Sequence, residues 1–203
     1  MRIEPAATKL RDVNTLTHIL AAAAALARPG EPTRNYAALV GALAPDISIF
    51  VFYGWTKFTT SLTERQIWRE AYWTEPWQII GAISNSVPLA AALLAAGVIA
   101  KARMLILFAG AMLIHTAMDF PVHADDAHRH FWPVTDWRFH SPVSYWDASR
   151  HVAVGAGLEL AVVALSTMFL WRRFRAVWVR AMAAVAFSLQ ALAFGFAVVS
   201  SAG

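Results

Sequence analysis

Apolar runs of bilayer-crossing length, joined by short basic turns, limit the folds open to this chain more than any other feature. Five runs read clearly: Tyr36–Trp55, Ile79–Ala100, Met104–Phe120, Val152–Leu170 and about Val177–Ser200. A hydrocarbon core calls for about 20 apolar residues per helical crossing. Lipid offers no water to an unpaired backbone group, so segments of this kind cross as helices. The 58% hydrophobic and 15% charged composition agrees, because soluble domains rarely combine so much apolar content with so little charge. The expected fold is all-α: a single integral membrane domain over residues 1–203, a bundle of five to six transmembrane helices.

A shorter apolar run, LTHILAAAAALA, covers Leu16–Ala27. Its charged approach and small-residue ending also fit a secretory signal. His18 inside it is out of place in a cleaved peptide, so a retained or partly embedded helix is expected. Residues 57–77 are polar and aromatic. Ser61-Leu62-Thr63-Glu64 fits a capping box, and Ile67, Trp68, Tyr72 and Trp73 follow, which predicts a short interfacial helix. If every run crosses, one side collects Arg28, Arg34, Lys101, Arg103, Arg172, Arg173, Arg175 and Arg180. The positive-inside rule makes that side cytoplasmic.

The net charge of +4 is small, and its carriers sit at the ends of apolar runs. That placement suits lipid headgroups and argues against nucleic acid as a partner. The absence of cysteine excludes disulfides, thiolate metal sites and cysteine nucleophiles. A metal here would be held by His, Asp, Glu or other oxygen ligands.

Polar chemistry concentrates in residues 115–146, HTAMDFPVHADDAHRHFWPVTDWRFHSPVSYW, which hold five of the seven histidines. His115 and Asp119 stand four apart, about 40° around a helix axis, so one face offers an imidazole beside a carboxylate. Ionisable groups inside an apolar run are costly and mark function by default. The competing reading is a His–Asp hydrogen bond that pins two helices. Pro121 ends or kinks the run, sending His123, Asp125, Asp126, His128 and His130 out of it. Pro45-Asp46 places a second carboxylate in another run, where proline also frees a carbonyl. Antiparallel packing brings His18, Asp46, Asn85, His115 and Asp119 toward one end of the bundle. The expected metal ligands are His18, Asp46, His115, Asp119, His123 and His130, with Asp119 and Asp46 also as catalytic carboxylates. Nitrogen and oxygen ligands of this kind suit zinc or manganese. Trp132, Trp137 and Trp146 are expected to hold the loop at the membrane interface.

The same residues carry a resemblance. His18 in the first run, Pro45-Asp46 in the second, His115-x-x-x-Asp119, Trp132-Pro133 and Trp137-Arg138-Phe139 occur in the order found in the LexA-regulated, membrane-bound metal-dependent hydrolase-like family (YdjM-like inner-membrane proteins). The correspondence covers roughly residues 14–145 and leaves out the C-terminal hairpin, about 152–200. It implies a multi-pass protein of the bacterial inner membrane. Ser84-Asn85-Ser86 stands where the family has Thr-His-Ser, and Ile80 stands at an earlier family histidine. Either His123, His128 or His130 folds back to complete the site, or catalysis is lost.

Two classes of function stay open at this point. One is a metal-dependent hydrolase acting on a lipid-linked ester or phosphoester. The other is a non-enzymatic membrane subunit or assembly factor with a structural His/Asp cluster. A transporter would need polar residues in both halves of the membrane, and the basic side has no second His/Asp group. The sequence leaves open whether the chain has a protein partner or forms a homo-oligomer.

Overall fold

The computed structural model describes residues 12–144 and 149–201, so Met1–Arg11 and Trp146 of the sequence reading lie outside the described residues. The described residues form eight α-helices: α1 Asp12–Leu26, α2 Pro32–Thr59, α3 Glu64–Arg69, α4 Glu75–Ser84, α5 Val87–Ile99, α6 Arg103–Asp119, α7 Val152–Arg173 and α8 Val177–Ser201. The chain is an all-α membrane bundle. Four stretches are long and apolar enough to cross a membrane: α2, the α4–α5 run Glu75–Ile99, α7, and Val177–Val199 of α8.

The expected five to six crossings are therefore reduced to four. The helix α1 has 15 residues and α6 has 17, about 22 and 26 Å at 1.5 Å per residue. Pro121 stops α6 soon after Asp119, because it has no N–H to donate to the Ala117 carbonyl. These two short helices are the ones that bring His18, His115 and Asp119 into the bundle. Residues 120–144 follow α6 and bring His123 and His128 near Asp119.

Two further details differ from the sequence reading. The capping box is Thr63 with Gln66, not Ser61 with Glu64. Glu64 is taken by Lys57 and by the Tyr53 hydroxyl of α2, which makes it the first residue of α3 instead of its third-position cap. The run Ile79–Ala100 is also broken in two. Asn85 closes α4, and the Ser86 hydroxyl caps α5 by accepting from Leu89 N–H at 3.1 Å. Pro88 in the first turn of α5 suits a helix start.

Small residues set the closest approach in the bundle. A Cβ on Gly41 of α2 would lie 2.2 Å from the Phe108 carbonyl oxygen of α6. Glycine there lets the two backbones meet, which is how helices pack tightly in lipid. That contact sets the distance at which Asp46 faces His115.

The basic turns gather at one end of the bundle. Arg103 at the start of α6 pairs with Glu31 before α2. Arg173 at the end of α7 donates to the carbonyls of Ala24 and Ala27 at the end of α1. Arg34 donates to the Leu26 carbonyl at 2.6 Å. At the far end of α2, buried Phe52 lies among Trp68, Tyr72 and Trp77, with ring centroids 5.2–5.8 Å away. This aromatic layer seats α3 and the 3-10 turn Ala71–Trp73 against the bundle.

Candidate metal centre

Three helices and one loop deliver the site. His18 comes from α1, Asp46 from α2, and His115 and Asp119 from successive turns of α6. Past Asp119 the chain keeps a helical turn, with Val122 N–H donating to the Asp119 carbonyl at 3.0 Å. That turn stacks His123 beyond Asp119, four residues on, and its Nε2 stands 3.4 Å from Asp119 Oδ1.

Asp119 is the hub. Its Oδ1 is 2.9 Å from His18 Nε2 and its Oδ2 is 3.0 Å from His115 Nε2. His115 Nε2 is also 3.5 Å from Asp46 Oδ1. The His18 and His115 rings stack with centroids 3.8 Å apart. His18, His115 and Asp119 are 2%, 0% and 2% exposed, so water has almost no access to atoms that need a polar partner. Asp46 is half-buried, and Thr15 of α1 donates to its Oδ2 at 2.6 Å.

The decisive observation is where these atoms point. His18 Nε2, His115 Nε2 and Asp119 Oδ1 are buried within contact distance of one another. Even so, none meets an aligned hydrogen-bond partner among the described residues. Atoms directed at each other as donor and acceptor would line up. These do not, and two imidazoles and a carboxylate this close together could hold a metal ion. Ligands of one zinc ion, each about 2.0–2.2 Å from it, stand roughly 3–3.5 Å apart, and the separations here fall near that range.

The far sides of the His115 and His123 rings support the same reading, while His18 Nδ1 is buried without a hydrogen-bond partner among the described residues. His115 Nδ1–H donates to the Ala42 carbonyl at 2.7 Å, one residue past the carbonyl that Pro45 cannot serve. A carbonyl only accepts, so a neutral His115 carries its lone pair on Nε2, toward the two carboxylates. His123 Nδ1 is paired with Asp126 Oδ2 at 2.8 Å, a carboxylate–histidine arrangement that orients a ring for ligation. Ligand atoms of His18, His115 and Asp119 lie within 4.8 Å of one another, as do those of Asp119, His123 and His128.

In the loop, burial pushes the His123 imidazole down. Asp126 and Asp119 outweigh it and hold the pKa of His123 well above its ordinary value. Burial pushes Asp126 up, yet His123 brings it down to about 2. His128 is lowered to about 3, first by burial and then by the neighbouring His123 charge. Without a cation, a proton on His123 sits between two carboxylates while His128 stays neutral.

The other sequence candidates lie elsewhere. His130 is turned to the broken helix, with Nδ1 3.2 Å from the Asn85 carbonyl, and burial lowers its pKa. His128, not His130, completes the second group. Asn85 spends its side-chain amide on Pro45 O, Gly81 O and Ser84 Oγ. Ile80, 42% exposed, faces outward. Trp137 is half exposed and stands against Phe120, Phe131 and Phe139, while Trp132 offers its carbonyl to the Ser86 hydroxyl.

No protein-family model, no curated protein and no solved structure matches this chain. The site is thus read from its own geometry.

The sequence reading missed two polar contributors. Thr15 orients Asp46, and Glu159 of α7 accepts from Gln190 Nε2 of α8 at 3.1 Å. Glu159 was detectable as the one charged residue within its apolar run. Thr15 gave no signal, because threonine is common at the start of helices.

Proposed function

We propose that this chain is a metal-dependent hydrolase of the bacterial inner membrane, acting on a lipid-linked ester or phosphoester. The observation that carries the reading is the buried set of His18, His115 and Asp119, whose facing atoms converge without hydrogen-bonding. The resemblance to the YdjM-like family supports it, since His18, Asp46, His115 and Asp119 are among the matching positions and come together here. A zinc or manganese ion would act as a Lewis acid and lower the pKa of water.

The residues divide the remaining work. His18, His115 and Asp119 hold the cation, and the Ala42 carbonyl and α1 keep those imidazoles in place. Asp46 is the more accessible carboxylate and takes the proton from attacking water as general base. No part of the site calls for nucleic acid.

One observation favours the second reading, a non-enzymatic membrane protein with a structural cluster. Asn85 and Ile80 replace two imidazoles of the family pattern, and neither lies among the converging atoms. In that reading Asp119 merely pins α1 to α6.

The two readings separate in one experiment. Purified protein in lipid nanodiscs is stripped with a chelator, reloaded with zinc or manganese, and assayed for release of phosphate or fatty acid from a panel of lipid esters. The hydrolase reading predicts turnover that needs the cation and falls by about 10²–10⁴-fold in Asp46→Asn, the usual weight of a general base. Protein that binds the cation but shows no turnover on any ester class would favour the structural reading.

A further inference from the structure

We propose that the centre is dinuclear, with two divalent cations sharing Asp119 as a bridging carboxylate. One is held by His18 and His115 with Asp46 at its open side, the other by His123 and His128. This rests on the metal reading above and extends it, because His123 and His128 would otherwise be spare ligands near a mononuclear site.

The imidazoles divide into two sets. Within each set the ligand atoms lie inside 4.8 Å of one another, and Asp119 is the member common to both. Ligands of a single ion at about 2.1 Å must lie within about 4.2 Å of each other. The four histidines do not form one such group, so one cation cannot collect them all. Two cations can, provided they share a ligand.

Asp119 is built for that sharing. Its Oδ1 faces both sets, 2.9 Å from His18 and 3.4 Å from His123, while Oδ2 is 3.0 Å from His115. The second set also has its own orienting group. Asp126 grips His123 Nδ1 at 2.8 Å, leaving Nε2 toward Asp119, and the other oxygen of Asp126 is buried without a hydrogen-bond partner among the described residues. The His123 and His128 rings lie 4.9 Å apart and tilted, close enough to serve one ion from two directions.

The loop that carries the second set is tied down independently of it. Arg129 makes two bonds of 2.8 Å to the Glu75 carboxylate. Val87 N–H donates to the His130 carbonyl at 2.8 Å, and Ser141 N–H donates to the His123 carbonyl at 2.9 Å. The histidines are thus placed by backbone contacts and arrive without needing a cation to fold the loop.

The test counts ions. Full-length protein in detergent is stripped, saturated with manganese or zinc, desalted, and measured by plasma mass spectrometry and, for manganese, by electron paramagnetic resonance. The proposal predicts two ions per chain and an exchange-coupled manganese signal. His128→Ala should hold one ion with an uncoupled signal, and Asp119→Asn should hold fewer than one. Should either variant lose its sharp size-exclusion profile, Asp126→Asn serves instead. It keeps every ligand and should weaken the second ion about 10–100-fold, the usual cost of losing such an orienting partner. Wild-type protein that saturates at one ion, with an uncoupled signal, overturns the dinuclear centre and leaves the mononuclear reading standing. Wild-type protein that binds none overturns both.

Discussion

His115 is held at one end of its ring and faces two carboxylates at the other. The Ala42 carbonyl takes Nδ1–H, so Nε2 is left to face the carboxylates of Asp46 and Asp119. A neutral imidazole there would set its lone pair against negative charge, and only a proton or a cation removes that conflict. Asp46 is poised in the same way by Thr15. Thr15→Val should cost about 1.5 kcal/mol, the low end for a hydrogen bond to a charged group, and weaken cation binding, while Thr15→Ser should restore both. Thermal melts in detergent with and without zinc check this; a Thr15→Val protein as stable and as metal-responsive as wild type would contradict it. At this scale the sequence exposed the i, i+4 pair of His115 and Asp119, because helical spacing alone puts them on one face. It did not distinguish His128 from His130. That choice is made by the Asn85 carbonyl, which engages His130 from a helix break more than forty residues away in the chain.

Between elements, the site depends on how closely α2 and α6 approach and on where α4 gives way to α5. Gly41→Ala would drive a methyl into the Phe108 carbonyl, and overpacking of this kind costs about 1–3 kcal/mol. It should also move Asp46 away from His115 and weaken cation binding. Gly110, on α6 itself, has nothing within 4 Å of an added Cβ. Gly110→Ala should therefore be neutral or stabilising by roughly 0.5–1 kcal/mol, the gain from replacing glycine inside a helix. If the two variants behave alike in melting and in metal affinity, the close contact is not what sets the site. The break at Asn85 and Ser86 is a second such device. Ser86 caps α5, and its hydroxyl also donates to the Trp132 carbonyl, so Ser86→Ala should lose about 1 kcal/mol for the cap and loosen the histidine loop. The run Ile79–Ala100 read as one span because its hydropathy is continuous; the interruption comes from a polar triplet whose partners lie in α2 as well as in the loop. The shift of the capping box to Thr63 has a similar origin, since nothing in the local sequence shows that Glu64 will be taken by Lys57.

As a whole, the molecule is polarised. Basic turns tied by Arg103, Arg34 and Arg173 close one end of the bundle, and the His/Asp cluster lies toward the other, where α6 ends. The all-helical bundle was legible because apolar runs in lipid have few alternatives. The number of crossings was not, because an apolar run of 17 residues reads as a span until its polar end is seen to serve a site. The positive-inside rule predicts that the Arg-rich end faces the cytoplasm. The chain has no cysteine, so Arg175→Cys and Ser61→Cys give clean single labels. An impermeant maleimide on intact cells should reach Ser61→Cys and not Arg175→Cys; the reverse pattern would invert the orientation. The central claim is that His18, His115 and Asp119 ligate a metal, and X-ray absorption at the zinc edge of zinc-loaded protein tests it most directly. Ligation by these residues gives a first shell of nitrogen and oxygen only, at about 2.0–2.2 Å, with the outer-shell scattering of imidazole, reduced in His115→Ala protein of unchanged stability. A spectrum of hydrated zinc without imidazole scattering, unaltered by His115→Ala, would contradict it.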